Sequence, residues 1–138
     1  MEGSSSNAIT EFANDTIDLG GGLGALNSNG TSYLYYLFQR ATGFFDAVAY
    51  AGNGTAGTTQ AHNLGVAPEM MWIKARGSTS GWMVYSSERG NTKALFLNER
   101  FGEVTTPDAW NSTTPSDTSF TVGTYGALND PNEVHDYV

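Results

Sequence analysis

Short apolar segments with side chains alternating at a period of two recur along this chain, and turn residues separate them. A period of two belongs to strands, because successive side chains on an extended backbone point to opposite faces. Pro68–Ala75 puts Met71, Ile73 and Ala75 on one face and Met70, Trp72 and Lys74 on the other. Thr31–Phe38 groups Tyr33, Tyr35 and Leu37. Phe44–Tyr50 groups Phe44, Val48 and Tyr50, with Asp46 between them. Trp82–Ser86 and Lys93–Asn98 flank Arg89-Gly90, and Ser119–Val122 and Val134–Val138 complete the set. Asn53-Gly54 marks a tight turn, since both residues tolerate positive φ. Thr105–Pro115 is the longest irregular stretch and carries Trp110. No segment sustains a helical period. The pattern predicts an all-β fold, an antiparallel β-sandwich of jelly-roll or concanavalin-like type.

Composition decides whether such strands can hold a core. With 138 residues the chain suits one core. Only 14% of residues are charged, 12% are aromatic, and glycine occurs 17 times. The aromatic residues supply the apolar surface that a disordered polar chain lacks. A net charge of −8 with six scattered Lys and Arg excludes a phosphate-tracking nucleic-acid surface. There is no cysteine for a disulfide or thiolate site. The start lacks the basic and apolar regions of a signal peptide. No apolar run approaches the roughly 20 residues that span a bilayer, so membrane insertion is not expected. The Asn-x-Ser/Thr triplets at Asn14, Asn29, Asn53 and Asn111 read as turn composition.

One order of motifs occurs twice. Ile17-Asp18-Leu19-Gly20, Gly24-Ala25-Leu26-Asn27 and Tyr33-Leu34 match Phe120-Thr121-Val122-Gly123, Gly126-Ala127-Leu128-Asn129 and Tyr137-Val138. Asp15-Thr16 and Asp117-Thr118 precede the two copies. The period is roughly 100 residues, the size of a domain. Three regions follow: an arm over 1–16, closing strands of a preceding unit over 17–42, and a sandwich over 43–138. The final strand reads as shortened. Either the chain is a segment of a longer protein or a neighbouring copy covers the sheet edge.

Several segments together resemble a β-rich repeat domain of marine and cyanobacterial phage structural proteins. They are Gly43-Phe44-Phe45-Asp46, Tyr50-Ala51-Gly52-Asn53-Gly54-Thr55, His62-Asn63-Leu64-Gly65-Val66-Ala67-Pro68 and Met71-Trp72-Ile73-Lys74. Trp82-Met83-Val84-Tyr85, Leu95-Phe96-Leu97-Asn98 and Phe120-Thr121-Val122-Gly123 continue the order. The pattern departs at its end, where no Ala-Tyr-x-Phe follows Tyr137-Val138. The resemblance implies a virion protein: an exposed fibre, tail or head appendage that serves host attachment. A capsid decoration protein and a carbohydrate-binding module are the alternatives. It also implies a homo-oligomer, a trimer on the fibre model, with other virion proteins and host surface glycan as further partners.

Chemistry-bearing residues are sparse. His62 and His135 are the only histidines, and no Gly-x-Ser-x-Gly elbow occurs. His62 reads as a solvated loop residue. Asp46, Glu69, Glu88, Glu99, Glu103 and Asp108 show no spacing that marks a glycosidase pair. No enzyme activity and no cofactor are expected. Asp130, Asn132, Glu133 and Asp136 are oxygen-rich, but Asp130-Pro131-Asn132 reads as a turn in place of a metal site. Gly20-Gly21-Gly22-Leu23-Gly24 leads into a strand where a dinucleotide site needs a helix. For sugar contact the candidates are Trp110, Trp82, Tyr85 and Arg89, with Trp110 favoured by its position in a loop, while Trp82 and Tyr85 read first as core or interface aromatics.

Overall fold

A computed structural model describes residues 9–13, 16–20, 26, 28–132 and 134–137, which form two compact units, 3–37 and 38–138. In the first unit, β1 (Ile9–Phe12) and β2 (Ile17–Leu19) form an antiparallel hairpin, with Phe12 opposite Ile17 and Ile9 opposite Leu19.

The second unit contains β3 (Val48–Ala51), β4 (Thr58–Ala61), β5 (Met70–Ala75), β6 (Met83–Ser86) and β7 (Lys93–Phe96). After them come β8 (Val104–Thr105), β9 (Ser119–Val122), a one-turn helix α1 (Gly126–Asn129) and β10 (Val134–Tyr137). A six-stranded sheet runs β3-β10-β5-β6-β7-β8, and a two-stranded sheet pairs β4 with β9. Every named pairing is antiparallel. The fold is all-β, as the alternation predicted.

The core lies on one face of the large sheet. Met71 and Ile73 of β5 stand opposite Tyr85 and Met83 of β6, and all four are buried. Phe120 and Val122 reach the same cluster from β9, with Leu128 from α1. Tyr50 meets Phe120 edge-to-face at 5.9 Å. Burial of such side chains is the main stabilising term, about 1.5–3 kcal/mol each.

β10 is last in sequence yet sits inside the sheet. Tyr137 pairs with Val48 on one side and Ile73 on the other. The chain reaches this slot by crossing the β3–β4 loop at Gly52. An added Cβ there would lie 2.0 Å from the carbonyl oxygen of Asp130, so only glycine fits the crossing. Asn129 then clips loop and helix together. Its carboxamide oxygen accepts the Asn53 N–H at 2.8 Å. Its amide nitrogen donates to the carbonyls of Thr55 at 2.9 Å and Gly123 at 2.8 Å.

Two expectations are corrected. Thr31–Phe38 is not a strand: residues 31–40 lie outside every strand. Alternation keeps a backbone extended, but a strand also needs a ladder partner. Gly126–Asn129, expected to be non-helical, forms one helical turn. Val138 and all of Gly20–Gly24 except Gly20 lie outside the described residues, as do Asn14 and Glu133.

The Tyr50 hydroxyl donates to the Leu128 carbonyl at 2.6 Å. Burial raises its pKa well above the ordinary 10.0, because the phenolate would lose hydration. The unfolded chain therefore ionises first on alkalinisation, and the stability contributed by the neutral phenol declines above the ordinary value. Tyr50→Phe is expected to cost about 1 kcal/mol at neutral pH through the lost hydrogen bond. Urea titrations from neutral pH to pH ~11 check this: the advantage of the parent over the variant should shrink above pH ~10.

Candidate functional site

The Gly43-Phe44-Phe45-Asp46 run folds as a tight reversal. Ala41 N–H donates to the Phe45 carbonyl, and Phe45 N–H donates back to that of Ala41, both at 2.9 Å. Gly43 at φ 77° makes the turn, and its N–H reaches the Leu64 carbonyl at 2.6 Å. This geometry buries Asp46 and leaves Phe44 77% exposed.

Asp46 acts as a backbone clamp. One carboxylate oxygen accepts the Ala47 N–H at 3.0 Å and Arg40 Nε at 2.8 Å. The other accepts the Asn63 N–H at 2.8 Å. His62 is buried, which corrects its expected place as a solvated loop residue. Its Nδ1 accepts the Leu64 N–H at 3.2 Å, so Nε2 carries the proton and donates to the Ser116 carbonyl at 3.2 Å. Asp46 and His62 both line a cavity of about 60 Å³, room for roughly two waters. Their polar atoms already serve backbone groups, so the pair fixes two loops.

Beside it opens a larger apolar depression of about 180 Å³, lined by Phe38, Phe44, Phe45, Met70 and Trp72. Phe38 stacks on Phe45 at 5.0 Å. Met70 and Trp72 come from the face of β5 opposite Met71 and Ile73. Trp72 Nε1 is buried without a hydrogen-bond acceptor among the described residues. The exposed apolar wall suits an apolar ligand or partner surface. The sequence signal for this site was on hand: the Phe44-Phe45 pair and the outward set Met70, Trp72.

The four residues proposed for sugar contact do not form a site. Trp110 is only 1% exposed, which corrects its expected loop exposure. Asn111 and Ser112 take positive φ values of 51° and 48°, within a turn whose Ser112 N–H donates to the Pro107 carbonyl at 3.1 Å. The Trp110 ring packs into the core, where its Nε1 donates to the Lys93 carbonyl at 2.7 Å. Tyr85 is also buried and meets Trp110 edge-to-face at 5.5 Å. Trp82 is exposed, while Arg89 pairs with Glu103 at 2.7 Å. Hydrogen bonds from Arg89 and Lys93 hold the Glu103 carboxyl below its usual pKa. Asp130 accepts from the Asn132 N–H at 2.9 Å and its side-chain amide at 3.1 Å, the turn expected there. Among the described residues no cluster of His, Asp and Glu has metal-binding geometry, and no helix is long and apolar enough to cross a membrane.

No curated protein and no solved structure matches the chain. A family model described as "Domain of unknown function (DUF7483)" matches residues 2–138. Nearly its whole length lies within that match, and the chain belongs to this family.

Proposed function

We propose that this chain is a structural module of a phage virion, part of an exposed fibre, tail or head appendage that takes part in host attachment. The observation that carries it is the apolar surface at Phe38, Phe44, Met70 and Trp72 on a strongly acidic chain. Aromatic residues and methionine are enriched where proteins meet, while a −8 charge opposes nonspecific association. The resemblance of the ordered motifs to phage repeat domains supports the same role. The polar groups of Asp46 and His62 are engaged in holding loops, which suits a scaffold. A jelly-roll or concanavalin-like connectivity and a trimeric assembly belong to this proposal.

Purified particles are the test. Mass spectrometry of virions from a host carrying the gene should detect the chain at several copies per particle, and antibody-gold labelling should mark an appendage. Labelling over the whole shell would favour capsid decoration. Absence from purified particles would remove the proposal.

A further inference from the structure

The chain holds two Asn-Gly pairs, Asn29-Gly30 and Asn53-Gly54. An asparagine before glycine can lose its side-chain amide without an enzyme. The glycine backbone nitrogen attacks the asparagine side-chain carbonyl carbon, and the missing Cβ lets the two atoms approach. Both glycines take positive φ, 76° at Gly30 and 70° at Gly54, and both asparagines are exposed. Residue type, turn conformation and exposure therefore do not separate the two pairs; hydrogen bonding does.

At Asn53-Gly54 both reacting groups are held. Asn53 Oδ1 accepts the Thr55 N–H at 2.9 Å and lies 2.9 Å from the Thr58 hydroxyl. The Gly54 N–H donates to the Asn129 carbonyl at 2.8 Å, and the Asn53 N–H donates to Asn129 Oδ1 at 2.8 Å. Ring closure would need Gly54 N to give up the Asn129 carbonyl and the Asn53 carboxamide to leave Thr55 and Thr58.

At Asn29-Gly30 the turn is held only from its flanks. The Thr31 N–H donates to the Ser28 carbonyl at 3.2 Å, and the Ser28 N–H donates to the Tyr33 hydroxyl at 2.9 Å. Among the described residues no hydrogen bond engages the Asn29 carboxamide or the Gly30 N–H. A Cβ at Gly30 would meet nothing within 4 Å, so this turn stands in open space.

We propose that Asn29 is a site of spontaneous deamidation in the folded chain, and that the bonds from Asn129, Thr55 and Thr58 protect Asn53. Water is the only co-reactant. Gly30 N gives up its proton and bonds to Asn29 Cγ, the Cγ–Nδ2 bond breaks, and Nδ2 leaves with that proton as ammonia. Water then opens the five-membered imide at either carbonyl. One opening leaves an aspartyl residue. The other leaves an isoaspartyl residue, whose main chain runs through the former side-chain carbonyl. Each product adds a negative charge to a chain already at −8. The isoaspartyl product also inserts a methylene into the backbone of the turn that the Ser28–Thr31 bond closes. The chemistry needs no partner, so it stands apart from the virion role.

Ageing of the full-length chain tests it. The folded chain is held in warm, mildly alkaline buffer and sampled by peptide mass spectrometry, which reads the gain of one mass unit at each asparagine. Conversion at Asn29 should outpace Asn53 by about tenfold or more, the ratio that about 1.4 kcal/mol of local opening produces. Its rate should rise with pH, since the deprotonated Gly30 nitrogen is the nucleophile. In guanidinium chloride the bonds around Asn53 are gone, and the two sites should convert at similar rates. Asn29→Gln, which would have to close a larger ring, should abolish the fast conversion. Equal rates at the two sites in the folded chain would overturn the proposal. So would an Asn29 that stays intact while the unfolded chain converts, or a rate ratio that persists unchanged in guanidinium chloride.

Discussion

Trp110→Ala is expected to destabilise the second unit by about 3–5 kcal/mol, the cost of removing a large aromatic side chain from a packed core. Three contacts go at once. The edge-to-face contact with Tyr85 is lost, a cavity opens in the core cluster, and the Lys93 carbonyl loses its indole donor. Against a usual total of about 5–15 kcal/mol this is a large share. The melting temperature should drop by roughly 15 °C or more, at about 4–8 °C per kcal/mol for a domain this small. Trp110→Phe keeps an aromatic ring in place but forfeits the donor and part of the indole's volume, so its loss should be smaller than the alanine variant's, at about 2–3 kcal/mol. Thermal and urea unfolding of the three chains give the comparison. An alanine variant within about 0.5 kcal/mol of the parent would mean a surface side chain and would refute the core assignment.

The second large effect is expected at Asn129, which is 1% exposed and makes three hydrogen bonds to backbone groups. Asn129→Asp is nearly isosteric but turns a donor into an acceptor. A carboxylate would then face the carbonyls of Thr55 and Gly123. Leaving those carbonyls unmatched in a buried site costs about 1–3 kcal/mol each, so a loss of about 3 kcal/mol or more is expected at neutral pH. The sign of its pH dependence follows. Burial beside two carbonyls favours the neutral carboxyl, so its folded pKa rises above the unfolded value of about 4. The penalty is full at neutral pH and shrinks on acidification. Urea titrations at neutral and at mildly acidic pH should show the variant approaching the parent at the lower value. A gap that stays constant or widens on acidification would contradict the clip.

Strand positions were largely legible. On β5 the alternation groups Met71, Ile73 and Ala75 on one face, and all three are buried. Asn53-Gly54 reads as a tight turn and Arg89-Gly90 as the break between two strands, and Gly54 and Gly90 take φ values of 70° and 82°. Weakly apolar strands escaped, because Thr58–Ala61 has no hydrophobic alternation to mark it. Val104–Thr105, at two residues, is too short to show a period.

The candidate site was less legible. Pro107, Asp108 and Asn111 announce a turn, but they say nothing about where Trp110 points. Its direction depends on the Lys93 carbonyl, 17 residues back. His62 likewise reads as a polar loop residue until the Ser116 carbonyl, 54 residues on, takes its ring N–H.

From the sequence alone came the strand class, the Asn53-Gly54 turn, the division of β5 into two faces and the repeated Gly-Ala-Leu-Asn run. Each is a local property, carried by a two-residue period or by the φ range of a single residue. Tertiary structure alone decided that β10 lies between β3 and β5, that Thr31–Phe38 stays outside the sheets, and that Trp110 is core. Those outcomes turn on which distant backbone groups and side chains meet, and a local period specifies no partner.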